Sequence, residues 1–145
     1  MVQGVTLEPV LPDALHHWWP IVKGDVDECR LRDTDDVWSE DVYAAIQSGR
    51  VFLYVGLDDR RQYLGMTIVY VGFEPHSKEK FLFVWMVNNH QTGMDILRDG
   101  EEHLVSMARN AGAKSIRYRA DRLSFERLTR SLGYSISHVE MTKRI

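Results

Sequence analysis

The stretch FLFVWMVNNHQTGMDILRDGEEHLVSMARNAG, residues Phe81 to Gly112, carries the pattern from which the rest of the fold is read. Its opening run FLFVWMV is apolar and rich in aromatic and β-branched residues, the composition of a buried strand. Further on, Ile96, Leu97, Leu104, Met107, Ala108 and Ala111 recur at helical spacing, and Gly112 stops the run. Between the two, HQTGMD forms a short glycine-bearing loop that leads into a helix N-terminus, where free backbone N–H groups can meet an anion. SIRYRA, Ser115 to Ala120, then reads as a short strand. Strand, helix, strand in this order favours parallel pairing through a right-handed crossover.

Working backward, RVFLYVGL and QYLGMTIVYVGF are two more strands, joined by the polar turn DDRRQ and connected to KFLFVWMV by FEPHSKE. Three antiparallel strands in a row are expected. Nearer the start, VTLEPVL (Val5 to Leu11) alternates as a first strand, and Pro12 and Asp13 open the helix ALHHWWPIVK, with Leu15, Trp18, Trp19 and Val22 on its apolar face. Pro20 is expected to kink or shorten that helix. The segment Asp25 to Asp36 departs from the spacing of a calcium loop and lacks its central glycine, so it reads as a solvated acidic loop. Ser39 is placed as the cap of EDVYAAIQS, with carboxylates in the first turn and Gly49 just past the end. At the other terminus, SFERLTRSL reads as an amphipathic helix ending at Gly133 and YSISHVEMTKRI as a closing strand. The order is β-α-α-β-β-β-α-β-α-β. It implies a single α/β domain over residues 1–145, with a mixed twisted sheet, antiparallel in the middle and parallel toward the C-terminal half, and helices on both faces.

A chain of 145 residues with 44% hydrophobic and 27% charged residues has the balance of one globular core, and no repeat or linker divides it. A net charge of -3 is the wrong sign for a phosphate backbone, which argues against direct nucleic-acid binding. The apolar runs are strand-sized, well short of the roughly 20 residues a membrane helix needs. MVQGVTLEP lacks the basic and apolar regions of a signal peptide, so the expected location is the cytoplasm. The lone Cys29 sits among Asp27, Glu28, Asp33, Asp35 and Asp36, which would raise its thiol pKa, and it reads as structural. His16 and His17 are adjacent on a helix and diverge by about 100°, so they do not chelate together. HHWWP or a free strand edge beside FLFVW would be the places for a dimer contact.

The element order and two short signatures resemble the GNAT superfamily, the GCN5-related N-acetyltransferases that use acetyl-CoA. The likeness is closest to small GNAT-like proteins of tailed phages and prophages, in the Trp-containing first helix, DVYAAIQSGR, FLFVW and MARNAG. The resemblance implies a pyrophosphate motif of Arg or Gln, two residues, Gly, one residue, then Gly or Ala between the fourth strand and third helix. On this chain those positions hold His90, Gly93 and Asp95, so one of three matches. Asp95 at a helix start would cap N–H groups with its own carboxylate and compete with phosphate for them. The family's Tyr general acid falls on Thr129 and its Asn on Arg122, so the usual proton donor is missing.

Two functions follow from the resemblance. The first is an acyl-CoA-dependent N-acetyltransferase with a degenerate pyrophosphate motif, acetyl-CoA being bound by strand backbone around Met86 and Val87 and by the Thr92, Gly93 and Met94 amides, and an amine being the acceptor. The second is an inactive phage protein of the same fold, serving as a virion or assembly component or binding a host protein. Candidate bases are Glu74, His76 and His90 at strand ends and Glu40 or Asp41 near a helix start, each otherwise ordinary loop polarity. Arg117 and Arg119 share one face of SIRYRA, opposite Ile116, Tyr118 and Ala120, where they would neutralise carboxylates or meet an anion.

Overall fold

The computed structural model describes residues 4–32, 37–90, 94–119 and 130–137, with 141, 143 and 145 as single positions. The elements run β1 (Thr6–Val10), a single 3-10 turn (Pro12–Ala14), α1 (Leu15–Arg32), α2 (Ser39–Gln47), β2 (Phe52–Leu57), β3 (Tyr63–Phe73), β4 (Lys80–Asn89), α3 (Met94–Asn110) and β5 (Ser115–Tyr118). The strands pair in sequence order, β1 to β4 antiparallel and β4 to β5 parallel. The mixed sheet expected from the sequence is therefore present.

Strand alternation sends successive side chains to opposite faces. On one face Leu53, Val55 and Leu57 of β2 and Met66 and Ile68 of β3 meet Leu15, Val22 and Val26 of α1 and Val42 and Ile46 of α2. On the other, Val69 of β3 and Leu82 and Val84 of β4 meet Leu104 and Ala108 of α3. Burying a Leu, Ile or Val side chain is worth about 1.5–3 kcal/mol, so these two layers hold the helices to the sheet.

Pro20 neither ends nor visibly shortens α1, which runs on for 18 residues. Proline removes one backbone bond and crowds the preceding turn, yet Leu15, Val22 and Val26 on either side are fully buried, and tertiary packing outweighs local propensity. The supposed acidic loop is consequently helical as far as Arg32, and Asp25 is buried rather than solvated. The start of α2 also shifts by one residue. Trp38 is the flanking residue and its N–H donates to Asp41 Oδ2 at 3.1 Å, while Ser39 lies inside the helix. Gly49 sits past the end of α2 with φ +78, as its placement in the sequence requires. Gly49→Ala is expected to lower stability by about 1 kcal/mol in urea unfolding, because an L-residue is strained there.

FLFV has no free edge, since β3 and β5 flank it on both sides. Of the last expected helix, 124–129 lie outside the described residues, and Gly133 closes its final turn with φ +94. Residues 134–137 of the expected closing strand are irregular, and 138–140, 142 and 144 lie outside the described residues.

Candidate active site where the sheet forks

β5 accompanies β4 only from Phe81–Ser115 to Val84–Tyr118. Because β4 continues to Asn89, the two parallel strands part beyond Val84, and Trp85–Asn89 meets no further strand on that side among the described residues. The parting coincides with a bulge. Ile68 pairs with Met86 and Val69 with Val84, leaving Trp85 as the extra residue. Leu82 and Val84 face α3, whereas both Trp85 and Met86 pack toward α1 and α2, so the bulge reverses the alternation from that point. Bulges bend and twist a strand locally, which opens the sheet here.

At the far end of β4 a polar knot ties the strand to α1. Asp25, 3% exposed, accepts the Tyr63 hydroxyl, Asn88 Nδ2 at 2.8 Å and His90 Nε2 at 2.7 and 2.9 Å. A carboxylate can only accept, so His90 carries its proton on Nε2. Asn88 also donates to Glu28 Oε2 at 2.8 Å, and the Cys29 thiol donates to the Val87 carbonyl at 3.5 Å. Burial, and secondarily the Asp25 bond and charge, push the Tyr63 phenol well above its ordinary value of 10.0.

On the α3 side of the fork, Tyr134 donates to Glu101 at 2.9 and 3.0 Å and meets Tyr118 edge to face at 5.1 Å. Burial raises both phenols above 10.0 and also raises the Glu101 carboxyl. A phenol whose folded pKa is raised contributes stability that is present below the unfolded pKa and lost as pH climbs past it. Above about pH 10, therefore, unfolding should become steadily easier. Tyr63, Tyr118 and Tyr134 should titrate only with loss of structure, which spectrophotometric tyrosine titration alongside circular dichroism checks.

A cavity of about 340 Å³ lies elsewhere, between α1 and α2, lined by Trp19, Lys23, Ser39, Glu40 and Tyr43. Among the described residues no three His, Cys, Asp or Glu side chains are grouped to hold a metal ion.

The whole arrangement has close counterparts in solved structures. A ribosomal-protein-alanine N-acetyltransferase from Brucella melitensis superposes with TM-score 0.73 at 16% identity, covering 98% of this chain and 99% of that one. An aminoglycoside acetyltransferase from an uncultured soil sample gives 0.72 at 10% identity over 98% and 99%. A GNAT family acetyltransferase from Staphylococcus aureus gives 0.68 at 9% identity, again over 98% and 99%. The fold is that of the GNAT acetyltransferases. No protein-family model matches the sequence, and no curated protein matches it. At such identities the GNAT likeness speaks for fold, and this chain's own residues must speak for chemistry.

Within the GNAT fold the residues singled out in the sequence separate into groups. Met86 and Val87 stand immediately after the bulge, on the arm of β4 that β5 leaves. Thr92 and Gly93 lie outside the described residues, and Met94 begins α3. Glu74 is paired with Arg117, the neutralisation expected of that arginine. Asp41 is committed to the Trp38 N–H, Glu40 borders the α1/α2 cavity, and His76 is an exposed turn residue. His90 is more than loop polarity, since Asp25 holds it. Four residues beyond Met86, it stands about 13 Å along the strand, too far for direct contact with a group bound beside the bulge. Asp25 was missed because nothing in an acidic run marks one member as buried. The available signal was its spacing of three from Val22, which puts it beside the apolar face of a helix continued through Pro20.

Proposed function

We propose that this protein is an acyl-CoA-dependent N-acetyltransferase that passes an acetyl group from acetyl-CoA to an amine. The observation that carries the reading is the fork, where β5 leaves β4 after Val84 beside a bulge and β4 runs on to Asn89, in a fold shared with acetyltransferases. Extended backbone that β3 pairs on one side and β5 has left on the other suits the amide-bearing pantetheine arm, which can bond along it as a strand would. The chain then leads directly to the α3 N-terminus, where Thr92, Gly93 and Met94 amides would meet the pyrophosphate. The amine nitrogen attacks the thioester carbonyl, the N–C bond forms as the C–S bond breaks, and the proton the nitrogen loses balances the one taken up by the departing CoA thiolate. With acyl donor and amine held side by side, positioning and backbone polarisation supply the acceleration. Asp25 and its three donors serve this indirectly, by fixing the end of β4 from which the pyrophosphate segment departs.

Calorimetric titration with acetyl-CoA tests the reading. Micromolar binding is expected, and absence of heat at millimolar ligand would refute it. That second outcome is the one required by the other reading, a non-catalytic phage protein of this fold that is a virion component or binds a host protein. Asp95→Gly is expected to tighten CoA binding about fivefold by removing a carboxylate that competes for the helix N-terminus. Unchanged affinity in the same calorimetric assay would show that Asp95 stands clear of the phosphate.

A further inference from the structure

The cavity between α1 and α2 has two chemically different ends. Trp19 and Lys23 are four apart on α1, and Ser39 and Tyr43 are four apart on α2, so each pair shares one stripe of its helix. The helices run antiparallel. Trp19 meets the Tyr43 ring edge to face at 5.1 Å, and farther along α1 the Arg30 guanidinium lies 5.2 Å from the centre of the Trp38 ring, just before α2. Lys23, one turn beyond Trp19, is therefore level with the first turn of α2, where Ser39 and Glu40 stand. The aromatic end, Trp19 with Tyr43, and the charged end, Lys23 with Glu40, are thus separated by about one turn, roughly 5.4 Å.

The charged end selects a ligand chemistry. Lys23 and Glu40 line the same cavity, yet no ion pair joins them, and among the described residues Lys23 has no carboxylate partner. Glu40 receives the Ser39 hydroxyl at 3.5 Å, and Ser39, only 6% exposed, keeps that carboxylate at the cavity wall. Opposite charges that flank a gap without closing it suit a molecule carrying both charges itself. An anion alone would face Glu40 uncompensated, and a cation alone would face Lys23. At the other end an edge-to-face ring pair accepts a third ring. One helical turn is also the reach from the head group of an aromatic amino acid to its ring.

This cavity is distinct from the fork. α1 contacts β3 and β4, whereas α2 contacts the turn that follows β1. The crevice between the helices therefore opens on the β1 side of α1, and the fork between β4 and β5 lies on its other side.

We propose that the α1/α2 cavity is a binding site for a free α-amino acid with an aromatic side chain, separate from the site of acetyl transfer. The ligand carboxylate lies on Lys23, its ammonium on Glu40, and its ring against Trp19 and Tyr43. A volume of about 340 Å³ holds a molecule of this size. The assignment stands independently of the acetyltransferase reading.

The full chain, labelled with 15N at tryptophan, is titrated by NMR with L-phenylalanine. A saturable shift of the Trp19 indole N–H is expected. Phenethylamine, which lacks the carboxylate, and 3-phenylpropanoate, which lacks the ammonium, should each bind about tenfold more weakly. Lys23→Met should weaken phenylalanine about tenfold and bring it level with phenethylamine, and Glu40→Gln should bring it level with 3-phenylpropanoate. Both side chains are exposed, so neither variant disturbs the core. Lys114→Met, which removes the same charge between α3 and β5, should bind like the parent. Absence of a saturable shift, singly charged probes binding as tightly as phenylalanine, or Lys23→Met binding like the parent would each overturn the proposal. So would a response at the Trp85 indole in place of Trp19, which would put the ligand at the fork.

Discussion

Asp25→Ala is expected to cost about 3 kcal/mol of stability, read as a lowered urea midpoint with an unchanged slope. The carboxylate is 3% exposed and is the common acceptor for Tyr63, Asn88 and His90. Its removal leaves a half-buried phenol without that partner and unties α1 from the end of β4. Alanine has the better helix propensity by about half a kcal/mol, so the measured loss understates the interaction slightly. Tyr63→Phe and His90→Gln should each cost only about 1 kcal/mol, because Asp25 then keeps two of its three donors. If the alanine variant lost no more than the two others, Asp25 would not be the centre of the knot. Asp25→Asn should fall between, since its amide turns a donor toward groups that are themselves donors.

Gly65→Ala is expected to be of similar size, about 2–3 kcal/mol, by a different route. A Cβ at position 65 would stand 2.1 Å from the Asn88 carbonyl oxygen and 3.0 Å from the Asn89 Cα, both backbone atoms, at a φ of +155. Neither can swing aside as a side-chain tip could, so β3 and β4 must separate where Gly65 pairs with Asn89. That displacement falls on Asn88, and through it on Asp25. Thermal unfolding should show the loss, and NMR should show shifts at Asn88 and His90 as well as at the substituted residue. A stable variant with those resonances unmoved would mean that the strands approach less closely than this.

Much of the fold was legible because it rests on periodicity. The β-branched and aromatic composition of TIVYV and FLFVW marks the central strands, and the spacing of Leu104, Met107 and Ala108 marks α3. Gly49 and Gly112 ended their helices where positive φ was needed. The failures are instructive for the same reason. Pro20 and the run of carboxylates after Gly24 are strong local signals for a break, and both were overruled by the burial of Leu15, Val22 and Val26 against the sheet. The site was harder still. Met86 and Val87 were placed on the fourth strand, but the extra residue at Trp85 leaves no trace in the composition of FLFVWMV, because a bulge is a mismatch between two strands and belongs to neither alone.

From the sequence by itself came the order and kind of most elements, the mixed sheet, the likeness to GNAT acetyltransferases, and the opposed faces of Arg117 and Ile116. Each of these depends on residues within one or two turns of each other. Only the tertiary structure decided that β5 leaves β4 at Val84, that Asp25, alone among the described residues of its acidic run, is buried against Tyr63, Asn88 and His90, and that Arg117 and Arg119 lie on rings supplied by β4. Those are contacts between segments tens of residues apart. Their partners are set by strand register and by which helix face the core buries, and these emerge only when the whole chain packs at once.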